Sequence, residues 1–585
     1  MDLPAERDQR WTLRPGGQAT LAAMLLLAHA ALVLHQASRQ SATYDEPYYA
    51  SAGYAQLAGG NTRLNPEHPP AVKLWLGAAW LAAGLPPPGD VPGFADADQW
   101  TFGPSLLYRD PARAPALLLR ARASVVLLSV LLALGVLLTA RRAFGNAAGL
   151  FALALYALDP LVVANAGLAT LDLGATAAIF GAVMLSWVAL DVGGIGYVAA
   201  AAAAVGVALG AKGTGLVALP VLGLLAIAPA FRRGGARPGE LGRRALLAVG
   251  IAAGGAAVLS IVCLPEGPAV WWRALELQRR HARGGHAAWA MGLHAMQCWP
   301  WYFPLAWVVK TPIALLAATG AGVVLLTARA RRAPEAAVAV LATPALLIAV
   351  SMSSGICNGV RQLLPATPFL AVAGGAALAA LASSRTGRVA ALGLVGWIAA
   401  ALLLVHPDAI TYANEGAGGP RRTWQLLTDS NVDWGQSLPD LADALRGEQV
   451  RTLWLDYFGT AWPPAHGVDR FRKLQDPAFR AGAMLPSSRR DGTDPAGREL
   501  LAVSATCLVD VYVAERDLHA WLRARTPWRW AGNSIAIYDI TGDAAAYRQL
   551  SHMAERMKDP VTAAEARTRA RQIEAKLEPQ PGSRH

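Results

Sequence analysis

Charge is what this sequence has least of. Asp, Glu, Lys and Arg make up 16% of its 585 residues, while 54% are hydrophobic. A soluble globular chain carries nearer a quarter charged residues, and a disordered chain cannot be this apolar, so both classes are excluded. Cysteine is also sparse. The four thiols, Cys263, Cys298, Cys357 and Cys507, allow three pairings, and the sequence chooses none of them over free thiols. What charge there is leans positive, at +12. On a soluble protein that would suggest nucleic acid. Here the excess falls largely in short loops between apolar runs, where it serves membrane orientation, and no nucleic-acid partner is expected.

The apolar runs are long. A helix needs about 20 such residues to cross a bilayer, and about eleven runs approach that length: 18–36, 121–140, 147–163, 173–190, 196–210, 213–231, 245–264, 302–326, 335–351, 362–382 and 389–405. A shorter run at 71–84 reads as a helix lying on the membrane surface. Threaded alternately, the spans put Arg7, Arg10, Arg14, Arg141, Arg142, Arg232, Arg233, Arg237, Arg243, Arg244, Arg329, Arg331, Arg332, Arg385 and Arg388 on one side. The positive-inside rule makes that side cytoplasmic. The first run is too long for a signal-peptide core and counts as a span.

The expected organisation is a cytoplasmic N-terminus (1–17) and a mainly α, polytopic transmembrane domain (18–406) with a large outer loop at 37–118. A small extracytoplasmic α/β domain (407–542) and a helical tail (543–585) follow. Strands are expected at 451–457, 500–505 and 534–540, and a helix capped by Ser437 runs through Arg446. The tail helix covers 543–577.

With so few ionisable groups, each one inside or beside an apolar run is a functional candidate. The outer loop is densest. Asp45 and Glu46 follow the first span, and Glu67-His68-Pro69-Pro70 then Lys73 follow in the same loop. A carboxylate there can act as general base on a hydroxyl, and Lys can hold a phosphate as a point charge. Asp159, Asp172, Lys212 and Arg361 map to span ends on the same side. Lys310 lies eight residues into its run, about 12 Å deep if the helix is straight. Carboxylates and cations gathered at one face suit a substrate carrying a hydroxyl and a phosphate.

These residues resemble a known group. Asp45-Glu46, Glu67-His68-Pro69-Pro70, Thr170-Leu171-Asp172, Trp301-Tyr302-Phe303-Pro304 with Lys310-Thr311-Pro312, Val360-Arg361-Gln362-Leu363-Leu364-Pro365 and Asp429-Ser430-Asn431-Val432-Asp433-Trp434-Gly435-Gln436 occur in the order seen in GT-C membrane glycosyltransferases. The nearest branch is the bacterial family 39 type, similar to protein mannosyltransferases and the lipid A aminoarabinose transferase. The resemblance implies a GT-C fold in a bacterial inner membrane. It also implies transfer of a sugar from a polyprenyl-phosphate donor to a hydroxyl acceptor (protein, lipid or polysaccharide) on the extracytoplasmic face. Carried over, Asp45 is the general base, Glu46 supports it, and Asp172 is the second acidic position. Lys73, Lys310 and Arg361 are expected to hold the donor phosphate by their location. Glu67 and His68, with His286 as a third group, are placed for substrate or for a divalent metal ion, and the metal stays open because one Glu-His pair is no metal signature. The group often has His where this chain has Asn165. A multispan transporter or flippase for a lipid-linked or small solute is the alternative reading.

Overall fold

The computed structural model describes residues 15–474 and 496–577. Arg7, Arg10 and Arg14 lie outside the described residues. Lipid offers the backbone no hydrogen-bond partners, so Ala- and Leu-rich runs close their bonds internally as helices. In chain order these are α1 (Pro15–Arg39), α2 (Glu46–Gly59), α3 (Ala71–Leu81), α4 (Gln99–Leu107), α5 (Ala114–Phe144), α6 (Asn146–Ala157), α7 (Pro160–Ala166), α8 (Leu171–Val192) and α9 (Ile195–Ala211). Then come α10 (Ala218–Ile227), α11 (Glu240–Val262), α12 (Pro268–Gly284), the strands β1 (Ala288–Ala290) and β2 (Leu293–Ala295), α13 (Tyr302–Lys310), α14 (Ile313–Arg329), α15 (Pro334–Met352), α16 (Thr367–Leu381) and α17 (Arg385–Val405).

Every expected apolar run falls on a helix, but they do not make eleven straight spans. Among the described residues eight helices are long and apolar enough to cross a membrane, or up to ten if each of two bent pairs is one span. Proline makes the breaks, because it lacks the N–H that would continue a helix. Pro160 separates α6 from α7, which bend by 62°, and Pro312 separates α13 from α14, which bend by 119°. The second break corrects the depth of Lys310. It ends a short helix before a sharp turn, instead of sitting inside one straight span. The helix α9 is apolar but 17 residues long, short of a full crossing.

The arginine-bearing turns gather at one end of the bundle. Arg233 N donates to Arg331 O at 2.8 Å, Arg142 pairs with Asp191 at 3.1 Å, and the buried Arg244 lies between Glu240 and Glu335. The first outer loop, carrying α2 to α4, covers the opposite end. There α2 and α3 cross at two glycines. A Cβ on Gly53 would lie 1.7 Å from Lys73 O, and one on Gly77 would lie 2.2 Å from Gly53 C. Only glycine permits that approach.

After α17 the chain runs through short 3-10 turns to α18 (Leu438–Leu445), then β3 (Val450–Asp456), β4 (Arg472–Lys473), β5 (Arg498–Ser504), α19 (Ala505–Leu508), α20 (Ala520–Arg523), β6 (Arg529–Ala531) and β7 (Ile535–Asp539). The sheet order is β4-β3-β5-β7-β6. It is parallel across β4, β3 and β5 and antiparallel across β5, β7 and β6. A helical hairpin, α21 (Ala544–Arg556) and α22 (Pro560–Leu577), packs Leu550, Met553 and Ile573 into a core with Leu501, Val503 and Tyr538. The three expected strands are β3, β5 and β7 to within two residues. β4 and β6 are too short to show a two-residue period. Ser437 precedes α18 but its side chain accepts no capping bond.

Cys298 and Cys357 form a disulfide, joining the segment before α13 to the turn before Arg361, while Cys263 and Cys507 are free thiols. Alkylation of the unfolded, unreduced chain is expected to label two cysteines, and four after reduction. Four labels before reduction would contradict this pairing.

Candidate active site

At the end of the bundle away from the arginine turns, four charged side chains interlock. Arg361 stands in the 3-10 turn Val360–Ala366 that leads into α16. Its Nη1 lies 3.3 Å from Asp45 Oδ2 and 3.1 Å from Asp172 Oδ2. Lys212, following α9, reaches the other oxygen of Asp172 at 2.6 Å. Asp172 sits in the first turn of α8, where the helix dipole favours a carboxylate. The guanidinium also donates from Nε to Ser430 Oγ at 3.1 Å and lies 4.1 Å over the Trp434 ring. Gly359 makes this approach possible, since a Cβ there would strike Ser430 Oγ at 2.0 Å.

Asp45 precedes α2 and keeps 21% of its side chain exposed, against 2% for Asp172. Tyr49, one turn on, donates to Asp45 Oδ2 at 3.3 Å. Both contacts fall on Oδ2, and among the described residues no hydrogen bond reaches Oδ1. Burial raises the Asp45 pKa above the usual carboxylate range; Arg361 opposes the rise, and Asp172 and Asp429 add to it. The free oxygen thus belongs to a carboxylate of enhanced basicity, as a proton acceptor requires.

The phosphate-binding candidates separate. Lys310 and Arg361 line one small cavity together with Asn165, Tyr412, Ser430 and Trp434. Lys310 Nζ donates to Ile410 O at 2.8 Å and to Asn431 O, which holds this buried side chain in the cavity lining. Lys73 is not part of this group. Its Nζ donates to Asn65 O at 2.6 Å, and burial lowers its pKa to about 8 against the opposing charge of Glu67.

Glu46 is fully buried and fully engaged. Arg122, from α5, grips both carboxylate oxygens at 2.8 and 2.6 Å. Thr43 N donates to Oε2 at 2.7 Å and Ala169 N to Oε1 at 2.7 Å. Arg122 also donates to the carbonyls of Ala37, Gln40 and Ser41. This pair pins the exit of α1, the start of α2 and the approach to α8, and so fixes Asp45 and Asp172 relative to each other. Sequence reasoning missed Arg122. The signal was there: it lies within the apolar helix Ala114–Phe144, at the edge of the expected run 121–140.

Glu67 turns into its own loop, where Oε1 accepts from Asn65 at 2.8 Å and Gln99 at 2.9 Å. His68 Nε2 lies 3.4 Å from Tyr49 OH, so Tyr49 links it to Asp45. Burial, then the charges of Lys212 and Lys73, hold His68 well below its usual pKa. The imidazole is therefore neutral. His286 stands apart, 3.1 Å from Tyr512 OH. Among the described residues no three His, Cys, Asp or Glu side chains gather as a metal site would need. Glu67, His68 and His286 do not fit a metal as a set.

The C-terminal region closes over the cluster. Tyr44 stacks on Phe458 and Phe458 on Tyr512, each at 5.3 Å between centroids, and Tyr512 OH donates to Asp429. Asp433 accepts from Thr506 N at 3.1 Å and is raised to about 7 by burial. It anchors the stretch that presents Ser430 and Trp434 to Arg361. The loop bearing Tyr512 is tied down by His519, 2.6 Å from Asp510 and 2.9 Å from Asp456. Burial disfavours its cation, but the bonds and charges of the two aspartates outweigh this and raise its pKa to about 9.

Residues 118–256 match the family model for dolichyl-phosphate-mannose–protein mannosyltransferases. The match is a likeness over that stretch of this multi-pass, mainly helical membrane protein with its small C-terminal sheet. Three solved structures are similar at low identity. ArnT from Cupriavidus metallidurans bound to undecaprenyl phosphate is 14% identical, over 90% of this chain and 98% of that one, with a TM-score of 0.44. The S. cerevisiae protein O-mannosyltransferase Pmt1-Pmt2 complex bound to the sugar donor is 19% identical, over 45% of this chain and 35% of that one, at 0.34. The oligosaccharyltransferase AglB from Archaeoglobus fulgidus, in complex with an inhibitory peptide and a dolichol-phosphate, is 15% identical, over 70% and 57%, at 0.44. At these scores the likenesses assign no side chain a role. No curated protein matches the chain.

Two outcomes follow from the buried pairs. Glu46→Gln or Arg122→Met alone is expected to cost about 3–5 kcal/mol, because each leaves a buried charge without its partner. Melting in detergent checks this, and single variants that melt with the parent would refute it. His519, with its folded pKa raised from 6.5 to about 9, adds stability that is complete below pH 6.5 and lost as pH rises through 9. The melting difference between the parent and His519→Gln should therefore shrink across that interval, and a constant difference would contradict the assignment.

Proposed function

We propose that this protein transfers a sugar from a polyprenyl-phosphate donor to a hydroxyl acceptor, on the extracytoplasmic face of a bacterial inner membrane. Asp45 is the general base. One observation carries the reading: the guanidinium of Arg361 touches the partly exposed, basic Asp45 and also lines the cavity that holds Lys310. A proton acceptor and a phosphate-binding pair are thus joined through a single side chain. The family match over 118–256 and the motif order support the same class of reaction.

In this reading the acceptor hydroxyl gives its proton to Asp45 Oδ1 as its oxygen bonds to the anomeric carbon. The bond from that carbon to the phosphate oxygen breaks, the electron pair leaves with the polyprenyl phosphate, and the anomeric configuration inverts. Charge growing on the phosphate is met by Arg361 and Lys310, held in place before the reaction by Ser430, Trp434 and the carbonyls of Ile410 and Asn431. Asp172, clamped between Arg361 and Lys212, sets the angle of the guanidinium. Glu46 acts through Arg122 as a positioning residue, and Lys73 holds the loop of Asn65. The arginine turns at the opposite end support an extracytoplasmic orientation of the site.

Asp45→Asn is expected to lower transfer per folded molecule by about 10²–10⁴-fold, the usual range for a positioned general base. The assay is label transfer from radiolabelled polyprenyl-phosphate sugars in reconstituted membranes. The acid limb of the pH–rate profile should lie above the ordinary carboxylate range, because the Asp45 pKa is raised and activity needs its anion. Undiminished transfer by a folded Asp45→Asn variant would overturn the assignment. Loss of solute uptake without any transfer activity in the parent would favour the transporter.

A further inference from the structure

The helix α12 is unlike the rest of the molecule. It carries Arg273, Arg279, Arg280 and Arg283 within 17 residues and follows closely on the lipid-length helix α11. It crosses the end of the bundle at the level of Lys212. Trp271 Nε1 donates to Leu209 O at 2.9 Å, and Leu275 Cδ2 would lie 3.5 Å from a Cβ on Gly213. Trp271 and Ala274 are buried against the bundle.

Among the described residues, the other face is largely open. At 100° per residue, Trp272, Arg273, Glu276, Arg279, Arg280 and Arg283 fall within about 120° of the helix circumference. Arg280 is 72% exposed and Trp272 is 65% exposed. Glu276 pairs with Arg279 and Arg280, and Glu266 with Arg273. Two carboxylates therefore face four arginines, and Arg283 has no ion pair among the described residues. The stripe is continuous with an apolar surface, since Ile261 and Leu264, where α11 ends, are 65% and 57% exposed. An exposed tryptophan where an apolar surface meets a row of cations is the arrangement of a helix seated at the lipid headgroups.

We infer that α12 is a docking surface for anionic phospholipid headgroups, with Trp272 at the acyl boundary and the arginine stripe among the phosphates. Charge complementarity and continuity with the lipid-facing side of α11 select this occupant. The inference holds whether or not the chain transfers a sugar.

The test is native mass spectrometry of the full chain in neutral detergent, titrated with phosphatidylglycerol or phosphatidylcholine. The parent should retain phosphatidylglycerol preferentially. At about fivefold per surface cation, the variant Arg279→Gln/Arg280→Gln/Arg283→Gln should bind it on the order of 100-fold more weakly. The corresponding triple lysine variant should bind as the parent does. Equal phosphatidylglycerol binding by parent and glutamine variant would overturn the inference. So would arginine-dependent binding of soluble polyglutamate with lipid binding unchanged, which would mark an acidic protein partner. Should the glutamine variant not fold, the parent decides the matter. Its preference for phosphatidylglycerol must fall with rising salt, and a preference that survives high salt refutes the electrostatic surface.

Discussion

The end of this molecule away from the arginine turns is organised around one guanidinium shared by two carboxylates. Removing a charge from water costs several kcal/mol even after relaxation, so Arg361, Asp45 and Asp172 are tolerable there only together. Lys212 completes the set and leaves it neutral as a group. The surrounding architecture serves this arrangement. Gly359 lets the backbone pass Ser430, Trp434 offers its ring face to the cation, and the Glu46–Arg122 pair locks the segments that carry the two aspartates.

Much of the membrane part was legible in the sequence because lipid imposes a coarse rule: long apolar run, helix. The interruptions were less so. Pro312 looks like one proline in a run of ordinary length, and only tertiary packing turns it into a 119° reversal that moves Lys310 from depth to the rim of a cavity. The strands β3, β5 and β7 were readable because each runs five residues or more. β6 has three and β4 has two, and each is defined by its neighbour in the sheet.

The site was legible by scarcity. Asp45, Asp172, Lys310 and Arg361 stand out because charge in an apolar setting must be explained, and the structure brings them together. The same rule could not say which charges face substrate and which face each other. Glu46 looked like a partner of Asp45 and is instead spent on Arg122. Glu67 and Lys73 are occupied by their own loop. Tyr49 and Tyr512 gave no signal, because an uncharged hydroxyl becomes informative only when its partner across the fold is known.

The order in which the clustered charges occur along the chain bears on how it is made. Asp172 and Lys212 belong to consecutive segments, α8 and the end of α9, whereas Arg361 emerges only after α15. During synthesis the aspartate can meet its lysine long before the arginine exists. Arg361, later in the chain, meets Asp45 beside Glu46, the residue that Arg122 holds. Of the two counterions on Asp172, the lysine is the nearer along the chain, so the aspartate can be paired before the arginine has been made.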